Sequence, residues 1–186
     1  MKSRLPFDEL NVLKVRMTRH FGADGRIKSQ DDCEDIIDEL LDLYLLALAS
    51  AVDAVNEQFN ARIEPTPQEV QDMIYRRIGG ATWVDRVLTW YMTGGTAEDI
   101  MRIAETEMVR IGNTAALETA VNAGATSKTW QTMLDDRVRD THIYLENTTV
   151  PIDAEFYTYD NDHAQAPGLF ERPENNINCR CELAFG

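Results

Sequence analysis

The sequence has few cysteines, no long apolar run and little positive charge beyond its first thirty residues. Cys33, Cys179 and Cys181 are its only cysteines. An odd total, with two of them separated by a single residue, argues against a disulfide framework and fits a reduced compartment. The longest apolar run, Leu43 to Val52 with Tyr44 and Ser50 inside it, is far shorter than the ~20 residues that cross a bilayer. No membrane span is therefore expected. The segment from Met1 to Leu13 lacks the apolar core and small-residue cleavage site of a secretory signal, so the chain is expected in the cytoplasm where it is made. Internal repeats and low-complexity tracts are missing too. What is present is 186 residues with 44% hydrophobic content, enough to bury a real core as one domain with an appendage or as two small ones.

Charge is unevenly spread. The formal net charge is −14, yet residues 1–30 hold seven Lys or Arg against three acids. An acidic body repels phosphate backbones, which argues against broad nucleic-acid binding through it. Residues 1–30 read as a basic N-terminal arm, either a solvated tail or a contact for DNA or an acidic partner.

Residues 31–124 read as a helical region. Ile36, Leu40, Leu43, Ala47, Val52, Val55 and Phe59 recur at helical spacing, giving a helix of roughly seven turns. Its acids, Asp31 to Glu39, gather where the helix dipole favours them and follow no calcium-loop spacing. Thr66-Pro67-Gln68-Glu69 supplies a cap, a proline at the first helical position and a capping-box acid, predicting a helix from Pro67 to Ile78. Thr82 with Asp85 caps a helix carrying Trp83, Val87, Leu88 and Trp90, closed by Gly94-Gly95. Thr96 caps another whose buried face runs from Ile100 to Ala116, with Gly124 as its stop.

Residues 125–186 change character. Lys128 to Met133 alternates and predicts a short strand. Asp135 is then expected to cap a helix reaching Leu145, and a last strand is expected near Cys179 to Phe185 after a loop rich in Asp, Asn and Pro. The fold class is α+β: a mainly helical N-terminal region followed by a small, loop-rich α+β module.

On a helix opened by Asp135, residues 135, 139 and 142 share one face. Three readings stay open. Asp135 and Arg139 pair while His142 donates to a backbone carbonyl, so the group is structural. Alternatively His142 joins Cys179 and Cys181 around Zn²⁺, with Asp135, Asp136 or His163 as fourth ligand. Or His142 serves as a general base, or Cys179 as a nucleophile; no nucleophile elbow or phosphate-cradling glycine motif accompanies them. Trp130 is expected as a buried anchor whose indole N–H needs a partner. One of Arg137 and Arg139 should bridge to carboxylates while the other faces outward. Asn178 suits the turn before the last strand, and Cys179 and Cys181 would both point inward from it.

Several pieces occur in a fixed order: I-A-E-T-E-M-V-R-I-G-N at 103–113, K-T-W-Q-T-M-L-D-D-R-V-R-D-T-H at 128–142, V-P-I-D-A-E-F at 150–156, A-P-G at 166–168 and N-C-R-C at 178–181. From Ile100 to Cys181 the chain resembles the phage Mu F-protein-like head morphogenesis family, also called minor head or minor capsid proteins. The resemblance falls on Trp130, Thr132, Asp135, Asp136, Arg137, Arg139, His142, Asn178, Cys179 and Cys181 as motif residues, with no catalytic residue among them. It departs at Glu105, where the family helix often carries arginine, and at Asn147, where glycine is common; Asn147 can still take a left-handed turn. The resemblance implies a non-enzymatic assembly factor in the capsid interior or at the portal vertex, bound to the portal protein and procapsid, in some members ejected with the DNA. Some relatives carry toxin or protease domains fused to this module; with five residues after Cys181, none is expected here. The rival reading is a small metal-dependent enzyme or toxin-like effector using His142 and the two cysteines; a host-encoded helical adaptor is a third.

Overall fold

The computed structural model describes residues 4–186. In chain order its elements are α1 (Phe7–Met17), a short 3₁₀ turn (Thr18–His20), α2 (Gln30–Phe59), α3 (Pro67–Ile74), α4 (Trp83–Thr93), α5 (Ala97–Asn122), β1 (Ser127–Gln131), α6 (Asp140–Ile143), β2 (Thr149–Pro151), β3 (Phe156–Tyr157), β4 (His163–Ala164), α7 (Pro173–Asn176) and β5 (Glu182–Phe185). The class is α+β. None of the described helices is long and apolar enough to cross a membrane.

Local chemistry sets the helix starts. Ser29 accepts from the Asp32 N–H at the head of α2, and full capping boxes open the next three helices at Thr66/Glu69, Thr82/Asp85 and Thr96/Asp99. Each box holds its acid below the usual carboxylate range, chiefly through the backbone N–H of the capping threonine. Asn60 and Gly94, both left-handed, end α2 and α4. Helix α3 stops at Ile74 rather than Ile78, because the chain closes a tight turn in which Ile78 and Ala81 exchange backbone hydrogen bonds around Gly79 and Gly80.

Helices α2 and α5 form the main packing pair. The carboxyl-terminal module hangs on α5 as a three-stranded antiparallel sheet, order β2-β1-β5, beside a two-stranded ribbon of β3 and β4. In the sheet, Thr129 opposes Thr149 and Trp130 opposes Leu183. Final strand β5 is shorter than the sequence suggested, so Cys179 and Cys181 precede it in a loop. Buried apolar side chains from both parts belong to one continuous cluster, from Leu5 and Leu13 through Ile111 to Trp130 and Phe185.

Residues 4–30 do not form a solvated arm. Helix α1 buries Leu10, Leu13 and Met17, and it packs against α2 and α5. Four cations of this segment meet acids of the body: Arg16 and Arg19 pair with Glu39, Lys28 with Asp32, and Arg4 with Glu182. His20, 2% exposed, lies 3.0 Å from Asp32. The amphipathic pattern Leu10, Leu13, Met17 outweighs the charge count, since apolar burial stabilises more than exposed ion pairs do. Residues 1–3, including Lys2, lie outside the described residues, so the expected arm is overturned for residues 4–30 alone.

Leu13 is 2% exposed, so Leu13→Ala is expected to lower stability by about 2–4 kcal/mol in urea unfolding. An unchanged midpoint would restore the picture of a free arm.

Candidate functional site

Strand β1 alternates in burial, and the residues it turns inward are Lys128 and Trp130. Trp130 is fully buried. Its ring meets His142 at 5.3 Å, Phe156 at 5.2 Å and Phe170 at 5.6 Å between centroids, spacings at which edge and tilted aromatic pairs attract. His142 stacks on Phe170 at 5.4 Å and is 1% exposed. Three elements thus converge on one aromatic nest.

The helix expected from Asp135 does not begin there. Leu134 takes φ 53°, and the Asp135 carboxylate accepts from the Arg137 N–H two residues on, so the segment turns instead of coiling. Only Asp140–Ile143 is helical. Asp135 consequently pairs with Arg180, not Arg139, in a two-pronged contact of 2.7 and 2.8 Å. That bond holds the Asp135 carboxyl below its ordinary range and the Arg180 guanidinium above its own. Arg139 donates to the Ile177 carbonyl. Arg137 and Arg180 both face Glu105, at 3.6 and 3.9 Å, so the acid at the departure from the family helix has cationic partners. Thr132 donates its N–H to Glu146, and Asp136 is exposed.

The N-C-R-C segment comes back against the same nest. Asn178 and Asn147 are both left-handed, at φ 55° and 58°. The Asn178 N–H donates to Thr106 Oγ1 at 3.3 Å, and Asn113 of α5 donates to the Cys181 carbonyl at 3.0 Å. These bonds seat both thiols, each 2% exposed, on one nitrogen: Cys179 Sγ and Cys181 Sγ each lie 3.5 Å from His142 Nδ1. His142 therefore faces sulfur, not a backbone carbonyl. The Cys181 thiol and His142 hydrogen-bond the Cys179 sulfur and hold its pKa well down against the opposing effect of burial. Cys181 moves the other way, because its proton is held by Cys179 and its surroundings are dry. Two like acids in contact push each other's titrations apart, which is the direction of both shifts. The Trp130 indole N–H has no conventional acceptor and favours the Cys181 thiolate. His142 Nε2 is buried without a hydrogen-bond partner.

Among the described residues, the ligand atoms of His142, Cys179 and Cys181 lie within 4.8 Å of one another. The fourth ligands considered from sequence stay apart from them. Asp135 is held by Arg180, and His163 Nδ1 lies 3.1 Å from Glu155. A narrow cavity beside the trio is lined by Arg137, Val138, Arg139, Asn178 and Arg180.

Sequence reasoning missed three buried polar groups. Asp162, 2% exposed, accepts from the N–H groups of His163, Glu171 and Arg172 and from the Asn175 amide. With Asn176, which bonds both the N–H and the carbonyl of Phe170, it organises the long loop. Within α5, Arg110 binds Glu107 at 2.7 Å and the Met73 carbonyl at 2.9 Å, and Arg86 joins Glu107 from α4. Lys128 is fully buried, with its ammonium lacking a hydrogen-bond partner and lying 5.7 Å from the Phe156 ring centre. Burial lowers its pKa to about 8, against the attraction of Asp153 and Glu155.

The family model described as phage Mu protein F like protein matches residues 56–184, from the last turn of α2 to β5. No curated protein and no solved structure matches the chain.

Two outcomes follow from this geometry. Because the folded pKa of Lys128 lies below the unfolded value, the unfolded chain binds more protons between about pH 8 and 10.5, and stability gains a rising contribution there. Lys128→Met should remove that rise and stabilise the protein at pH 7 by about 1–2 kcal/mol, read from denaturant unfolding across pH. Gly168 has φ +86°, and a Cβ there would stand 2.9 Å from Arg110 Cα. Gly168→Ala should cost about 1–3 kcal/mol, seen as a lowered thermal midpoint.

Proposed function

The chain belongs to the phage Mu protein F like family, a family of bacteriophage head morphogenesis and minor head proteins, and from that premise we propose that it is a non-enzymatic assembly factor bound to the portal and procapsid. The observation that carries this reading is where the motif residues stand. Trp130, His142, Cys179 and Cys181 are at most 2% exposed, they close on one another, and the cavity that His142 and the two thiols help to line holds only about 10 Å³, too little for a substrate. Residues of that kind build a rigid body. Such a body suits a protein whose task is to present a fixed surface to a larger assembly.

Charge supports a protein partner over nucleic acid. The chain carries −14 overall, and Arg4, Arg16, Arg19 and Lys28 are each paired with an acid of the chain itself. Those four are already engaged and are not free to release counterions from a duplex. Packaging with the genome then rests on capture inside the procapsid, with the virion as the final location.

Co-purification from infected cells tests the proposal. The protein is expected to sediment with portal-containing procapsids, to be found in mature virions by mass spectrometry, and to leave heads defective when its gene is deleted. Normal heads and full infectivity without it would refute the assignment. So would a turnover of peptide, nucleotide or nucleic acid that is lost in His142→Ala while the fold persists.

A further inference from the structure

The two thiols and the imidazole form an arrangement that hydrogen bonding alone explains poorly. One imidazole nitrogen offers a single lone pair or a single proton. Here Nδ1 lies 3.5 Å from two sulfurs at once. A cation between the three atoms would engage all of them. Tetrahedral zinc has Zn–S of about 2.3 Å and Zn–N of about 2.0–2.1 Å, which places sulfur and nitrogen on a shared ion about 3.5 Å apart. Both observed separations have that value.

We propose that Cys179, Cys181 and His142, through Nδ1, bind one Zn²⁺ that staples the N-C-R-C loop to α6 and the Trp130 nest. The inference stands on the geometry of these side chains and does not depend on the portal assignment. Two thiolates cancel the charge of the dication, which is what allows it to sit where the ligands are 1–2% exposed. Thiolate and imidazole are the donors zinc prefers over harder ligands. The imidazole is oriented by Phe170 stacked on its face and Trp130 at its edge, in place of a hydrogen bond from its far nitrogen. Asn113 fixes the loop from α5 through the Cys181 carbonyl. Of the residues lining the adjoining cavity, Arg137, Val138, Arg139, Asn178 and Arg180 are not customary zinc ligands. No other His, Cys, Asp or Glu of the described residues joins the cluster, so solvent would complete a four-coordinate ion.

The test uses the full chain under reducing conditions. Protein reconstituted with zinc is expected to retain one metal ion per chain by inductively coupled plasma mass spectrometry. With cobalt(II) instead, it should show the near-ultraviolet thiolate-to-metal band and the visible bands of a tetrahedral site. Cys181→Ser should lose roughly tenfold or more in metal affinity, whereas Cys33→Ser, in α2 and outside the cluster, should keep both the stoichiometry and the cobalt spectrum. Circular dichroism reports whether the Cys181→Ser variant folds, and the cobalt spectrum of the unaltered chain decides the matter if it does not. Metal-free protein after reconstitution, a cobalt spectrum without the thiolate band, or a bond between Cys179 and Cys181 in reduced preparations would each overturn the site.

Discussion

Helix α5 is enclosed on every side from Glu107 to Leu117, and the rest of the structure follows from that. A surface helix buries one stripe, but this one must satisfy neighbours all round, including the polar groups it carries inward. Glu107 and Arg110 answer each other and reach Arg86 and the Met73 carbonyl, while Thr114 bonds back to the Arg110 carbonyl. Asn113 is a buried link out of the helical layer, donating both to the Val109 carbonyl within α5 and to the Cys181 carbonyl outside it. Small residues let the neighbours in. A Cβ at Gly112 would lie 2.2 Å from the Leu5 side chain, so the amino-terminal segment rests directly on the helix backbone.

The carboxyl-terminal module takes its shape from this seat. Its strands are short and its loops long, so little of its stability comes from ladder hydrogen bonds. Burial of Trp130 against His142, Phe156 and Phe170 supplies the apolar part. Asp162 and Asn176 supply the polar part, each tying backbone groups of the loop that the sheet cannot reach. The amino-terminal half clasps the last strand as well. Gln58 donates to the Phe185 carbonyl, and Arg4 donates to Glu182 and lies over the Phe185 ring.

Much of the helical layer was legible in the sequence because it is written in short-range chemistry. Three capping boxes and the apolar period from Ile36 to Val55 fix α2 to α5 without reference to the rest of the fold. Helix α1 was hidden by its charges, whose pairing with Glu39 and Asp32 depends on a partner helix further along the chain. The turn at Leu134 to Val138 was hidden too, since Asp135 looks like a cap until Arg180, forty-five residues later, claims its carboxylate. Of the candidate site, the sequence pointed to His142, Cys179 and Cys181 as neighbours, but not to Lys128 on the buried face of its strand or to Asp162 within the loop. Alternation alone would have placed Lys128 inward beside Trp130, and the residue type argued against trusting it.

A body hung on one enclosed helix should open as one body. Hydrogen exchange of backbone amides measures this directly. Amides of β1 and β5 are expected to exchange with the same opening free energy as the middle of α5, from Met108 to Ala116, and Asn113→Ala is expected to lower all of them together. A carboxyl-terminal module that exchanges far faster while α5 stays fully protected would contradict this dependence on a single helix.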